Sequence, residues 1–136
     1  MRITPYTRGQ NAAILIGRVL ISLIFLVVGI YKVTHWHEMT DYLDAVKIPM
    51  PYASLLLATI IELLGGLMLL LGYKARFGAF VLLIFLIPTT FIFHSYWNVH
   101  SAAYSTQMMM FWKNMAIAGG LFILLGTGAG SWALDN

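Results

Sequence analysis

The residues with chemistry to offer in this chain are Arg18, Lys32, Glu62, His94, Trp97 and Lys113. Glu62 demands the most explanation. It stands in the middle of ASLLLATIIELLGGLMLLLG, Ala53 to Gly72. As a helix rising about 1.5 Å per residue, that run spans roughly 30 Å, the thickness of a hydrocarbon core. An acidic side chain at such depth costs about 2.5–3.5 kcal/mol, so it must face the protein interior or a wet cavity and find a partner. Ala58, Glu62 and Gly66 recur every four residues with Gly65 beside them, and small residues on that face let a neighbouring helix approach the carboxyl. A carboxyl so placed is a candidate proton carrier. His94 and Lys113 are candidate donors to a ligand's oxygens, and Trp97 or Trp112 can cover a flat ring.

These residues need elements to hold them, and composition says which. Of 136 residues, 60% are hydrophobic and 10% charged, with mean hydropathy +0.83; a soluble domain has about 45–50% and 25%. A single membrane domain is expected. The net charge of +3 is scattered around apolar runs, which marks topology and not a nucleic-acid surface. Cysteine is absent, so disulfides, thiolate metal sites and CxxC relays are excluded. Redox chemistry would therefore need a bound cofactor or an exogenous carrier.

The pattern predicts an all-α, polytopic four-helix bundle with spans at about 12–33, 53–72, 77–97 and 108–126, and a short interfacial helix within 34–51. The first run exceeds the roughly 7–15 residues of a signal-peptide core and lacks an evident cleavage site, so it reads as a retained span. Arg18, Ser22, Phe25, Gly29 and Lys32 share one face of it as a polar stripe, with Lys32 near enough to the end to snorkel as a terminal anchor. In the interfacial segment, Trp36, Met39, Leu43 and Val46 form an apolar face, and Pro49 and Pro51 end it and launch the second span. His35 and His37, near Glu38 and Asp41, suggest a metal, but two positions apart on a helix they diverge, so no metal site is expected. In the third span, Thr89 and Thr90 can help satisfy the carbonyl that Pro88 frees, and Thr90, His94 and Trp97 share a face. Lys113, Ala116, Ile117 and Gly120 share a face of the last span. Met108 to Met110 point around that helix and read as packing. The tail GTGAGSWALDN reads as a glycine-rich exit with Trp132 as an interface anchor.

Arg2, Arg8, Lys74 and Arg76 flank one side of the spans. The positive-inside rule then puts both termini and the GYKAR turn in the cytoplasm. Lys32, His94 and Lys113 fall toward the outer leaflet, Glu62 at mid-depth and Arg18 nearer the cytoplasmic side, so the set can converge on one interior axis open outward. The competing expectation is structural: Arg18 and Glu62 form a buried ion pair that sets helix register, while Lys32, His94 and Lys113 snorkel.

In order along the chain, Arg18, GIYK at Gly29 to Lys32, IPMP at Ile48 to Pro51, ELLGG at Glu62 to Gly66, GYKAR at Gly72 to Arg76, HSYW at His94 to Trp97 and FWKNMAIAGG at Phe111 to Gly120 resemble the DoxX family of small bacterial membrane proteins. The resemblance implies a four-helix inner-membrane protein with cytoplasmic termini, and an association with membrane oxidoreductases, quinones or oxidative stress. It places the family's matching positions at Arg18, Lys32, Glu62, His94, Trp97 and Lys113. The leading functional expectation is a quinone-interacting redox component with no covalently bound cofactor. Its expected partners are the bilayer, a quinone, a soluble oxidoreductase and further copies of itself. The alternative is a non-catalytic scaffold or accessory subunit. A solute carrier is disfavoured by the lack of an internal repeat, and a bis-histidine haem would require His94 to face His35, His37 or His100.

Overall fold

In a computed structural model of the chain, residues 5–135 are described. Arg2, part of the charge count above, lies outside the described residues. Helix α1, Arg8–Thr34, starts from Thr7, whose hydroxyl accepts from Gln10 N–H while the Gln10 side chain returns to Thr7 N–H, a reciprocal cap. Helix α2, Trp36–Ala45, follows almost without a break and buries Thr40 and Leu43 against the bundle. Lys47 and Met50 then take left-handed backbone conformations to turn the chain, and Pro51 opens α3, Pro51–Leu71. Gly72 (φ 69°) and Lys74 (φ 46°) make the tight turn into α4, Ala75–Phe93, and Tyr104–Thr127 forms α5. Four of these helices, all but α2, are long and apolar enough to cross a membrane. This is the all-α four-helix membrane bundle expected from the pattern.

Helix α3 is the hub. Gly66 faces α1, where an added Cβ would lie 3.0 Å from Leu26, and Gly65 faces α4, where it would lie 2.7 Å from Leu82. Two consecutive glycines thus admit two different neighbours, because close backbone approach replaces the hydrophobic drive that lipid removes. Gly29 repeats the device from the α1 side, with Leu63 and Glu62 against it. The dry core gathers Phe25, Leu69, Leu82, Leu83, Leu86, Leu121 and Leu124. Outside it Ile16, Leu20, Val27, Leu57, Ile84 and Ile123 stand exposed, as lipid-facing residues should.

The predicted third span is divided. Helix α4 stops at Phe93, His94 leaves the helical region (φ −127°, ψ 35°), and Tyr96–Asn98 makes a 3₁₀ turn. Thr90 and Trp97 therefore do not share a helix face. Pro88 sits inside α4, and the hydroxyls of Thr89 and Thr90 bond the carbonyls of Phe85 and Leu86, one turn back from each.

At the end of the bundle opposite α2, the segment after α5 folds back across the helix ends. Gly128 and Gly130 adopt positive φ to permit the reversal. Leu134 and Asp135 donate backbone hydrogen bonds to Leu71 and Gly72, and the Asp135 carboxylate accepts from Lys74 N–H. Instead of a simple exit, this tail is packed against the helix ends.

Candidate functional site

The stripe on α1 is buried as a set: Arg18, Ser22, Phe25 and Gly29 all face inward. Its two cations part company. A helical side chain leans toward its own N-terminus, so Lys32 reaches back along α1 and its Nζ meets Glu62 Oε1 at 2.7 Å. Lys32 is therefore turned inward, its side chain only 14% exposed, and does not act as a terminal anchor. Arg18 leans the same way, which carries it away from Glu62 and toward the tail that follows α5. Its guanidinium donates to the carbonyls of Ala129 (2.5 Å) and Trp132 (2.8 Å). Glu62's ion-pair partner is Lys32, and the structural pair of Arg18 with Glu62 does not form.

Glu62 is 5% exposed and holds two unequal oxygens. Oε1 takes the Lys32 ammonium; Oε2 is buried without a partner among the described residues. A buried carboxylate oxygen left over is costly, which makes it the feature most in need of a ligand. Glu62 borders a cavity of about 230 Å³ between α1, α4 and α5, lined also by Lys32, Thr89, His94, Lys113 and Asn114 among apolar neighbours such as Phe25, Phe85 and Met110. His94 is oriented by α5: its Nδ1 lies 2.7 Å from Gln107 Oε1, an acceptor, so Nδ1 carries the proton and Nε2 is left to accept. Asn114 donates to Thr90 Oγ1 at 3.1 Å, tying α5 to α4 at the same level.

Lys32, Glu62, His94 and Lys113 thus border one cavity, whereas Arg18 and Trp97 do not. Trp97 is half exposed in an aromatic cluster with Phe91, Tyr96 and Phe111, whose centroids lie 5.2–5.9 Å from its own. His35 stacks on Tyr31 at 3.9 Å, its Nδ1 within reach of Thr34 Oγ1 and the Tyr31 carbonyl. Gln107 and Asn114 escaped the sequence reasoning because polar amides near a span's start look like ordinary interfacial residues. Thr89 and Phe85, also on the cavity wall, carry no signal of their own.

A larger concavity, about 900 Å³, lies at the tail end among Tyr6, Tyr73, Lys74, Arg76, Thr127 and Asp135. Of its charged residues, Arg76 and Asp135 already have main-chain partners. Size alone does not outweigh the buried, half-used carboxylate.

Four apolar helices around a buried ion pair and a small cavity define an integral membrane protein with an intramembrane polar site. The chain belongs to the DoxX family, whose pattern matches residues 13–95. It is 29% identical over 136 residues to the inner membrane protein YphA of Escherichia coli, covering 100% of this chain and 97% of that one. It is 31% identical over 127 residues to the inner membrane protein YqjF of the same organism, covering 93% and 92%. A shorter similarity, 33% over 83 residues, covers 60% of this chain and 28% of the Surfeit locus protein 4 homolog of Schizosaccharomyces pombe. No solved structure matches the chain.

Proposed function

We propose that this chain binds the ring of a quinone in the Glu62 cavity and serves as the quinone-handling component of a membrane oxidoreductase or oxidative-stress system. The observation that carries the proposal is the unpartnered Glu62 Oε2 beside His94 and Lys113 in one cavity. A volume of about 230 Å³ is below the roughly 300–1,000 Å³ of drug-sized sites and suits a single ring. A quinone is neutral and lipid-soluble, and its carbonyl oxygens call for donors, which the Lys113 ammonium supplies. As the ring takes up an electron pair, each carbonyl oxygen takes a proton, one carried by Glu62 and the other given up by the Lys113 ammonium that bonds it, and both groups then regain their protons from water. The electrons come from a partner oxidoreductase, since the chain has no cysteine. The names of the E. coli relatives support an inner-membrane location, and the loop charges favour cytoplasmic termini with the cavity toward the outer face.

Detergent-purified protein is expected to retain extractable quinone and to bind a decyl-ubiquinone analogue in a fluorescence titration. Lys113→Met should weaken that binding about tenfold, the worth of one charged hydrogen bond donated to the ring, and Glu62→Gln should weaken binding of the reduced ring, whose hydroxyls donate, by a similar factor. Absence of quinone from both extraction and titration defeats the proposal.

A scaffold role is favoured by a different observation, the 2.7 Å Lys32–Glu62 pair locking α1 to α3. In that case a soluble oxidoreductase recovered by pull-down keeps full activity with the Glu62→Gln protein.

A further inference from the structure

We infer that the site takes an amphiphile whose apolar tail leaves the Glu62 cavity through a second compartment beneath α2; this rests on the quinone proposal and specifies its ligand. That compartment, about 350 Å³, lies between α2, α3 and α4. Away from its border with the first cavity its walls are chiefly apolar, with Leu43, Ile48, Leu55, Ala58, Ile92 and Phe93. The two spaces are not separate features of the fold. They share one wall, built from Lys32, Phe85, Thr89 and His94.

The chemistry changes across that wall. On one side stand a carboxylate and a second ammonium, Glu62 and Lys113; on the other stand aliphatic and aromatic groups. Phe85 is the partition. The Lys32 ammonium lies over its ring, 5.7 Å from the centroid, and the same phenylalanine lines the apolar space. Thr89 and His94 complete the partition with polar groups that meet a ligand where its head becomes tail. A head-and-tail ligand matches this sequence of surfaces, and a compact polar solute does not. The cover is also suited to a tail. Helix α2 contributes Leu43 as its buried apolar anchor while Tyr42 and Val46 remain exposed, so α2 lies over the compartment as a thin lid of one helix.

The test measures binding of a tail-less dimethoxy-methyl-benzoquinone and of its decyl derivative to the full chain in one detergent. Leu43→Trp and Ala58→Trp fill the second compartment. Each is expected to lower the preference for the decyl compound about tenfold, what burial of a few methylenes is worth, with affinity for the tail-less ring unchanged. Leu56→Trp, on the exposed side of α3, should leave that preference as it is. On the unsubstituted protein, a decyl-quinone bearing a terminal diazirine should label peptides containing Leu43 or Leu55. If the ring binds but the preference survives both substitutions, or the label falls on lipid-facing residues of α1 and α5, the tail route is wrong and the quinone site stands. If neither compound binds, both fail together.

Discussion

The two ends of this bundle handle buried cations in opposite ways. At the tail end, Arg18 is 2% exposed and spends its terminal amino groups on the main-chain carbonyls of Ala129 and Trp132. Around it Asn11 accepts from Ser131 N–H, Tyr6 donates to the Thr127 carbonyl and Arg76 to that of Gly126. Among the buried side-chain atoms of the described residues at this end, Arg18 Nε is left over. At the α2 end, Lys32 meets a side chain, and that side chain keeps an oxygen in reserve. Bonds to backbone close a structure, because nothing can replace the partner. Bonds to an ionisable side chain leave a group that can change its charge or its company.

The largest effect should come from breaking the side-chain pair on one side only. Lys32→Met leaves a carboxylate buried and is expected to cost about 3 kcal/mol, read as a fall in thermal midpoint in detergent. Adding Glu62→Gln should return most of the loss, and a double variant no better than the single one would show that the pair is not the source. Arg18→Met comes next, at about 2 kcal/mol, since it strands carbonyls that were accepting charged hydrogen bonds. No second side-chain substitution restores it, and truncation after Thr127 should cost a similar amount. Restoration by Glu62→Gln would instead tie Arg18 to the cavity. Smallest is Asn114→Ala, which loses one interhelical bond to Thr90 and should cost about 0.6 kcal/mol, near the average for membrane bundles. A loss comparable to that of Lys32→Met would mean the α4–α5 contact carries the site.

The architecture was legible in the sequence because lipid enforces it: spans must be long, apolar and helical. The inward face of α1 was also legible, since a spacing of four and three residues marks one side of a helix whatever lies opposite. Which cation reaches Glu62 was not legible. Depth along the membrane normal locates a Cα, and a long lysine or arginine side chain then reaches a turn or more either way. The helical spacing that would align Trp97 with Thr90 fails at His94, where the backbone leaves the helix and the side chain meets Gln107. The tail was read as an exit because glycine-rich segments have no periodicity, and its bonds to Asn11, Arg18 and Leu71 join positions far apart in the chain.

The Arg18 contacts also bear on how the protein is made. Ala129 and Trp132 lie 111 and 114 residues downstream of the arginine they satisfy. At about 5–20 residues per second of synthesis, the first span enters the bilayer on the order of ten seconds before those carbonyls emerge. During that interval the Arg18 guanidinium lacks the carbonyls that bond it in the finished fold, and must reach water or lipid head groups instead. The contact that completes α1 therefore forms only after α5 and the segment behind it have been made.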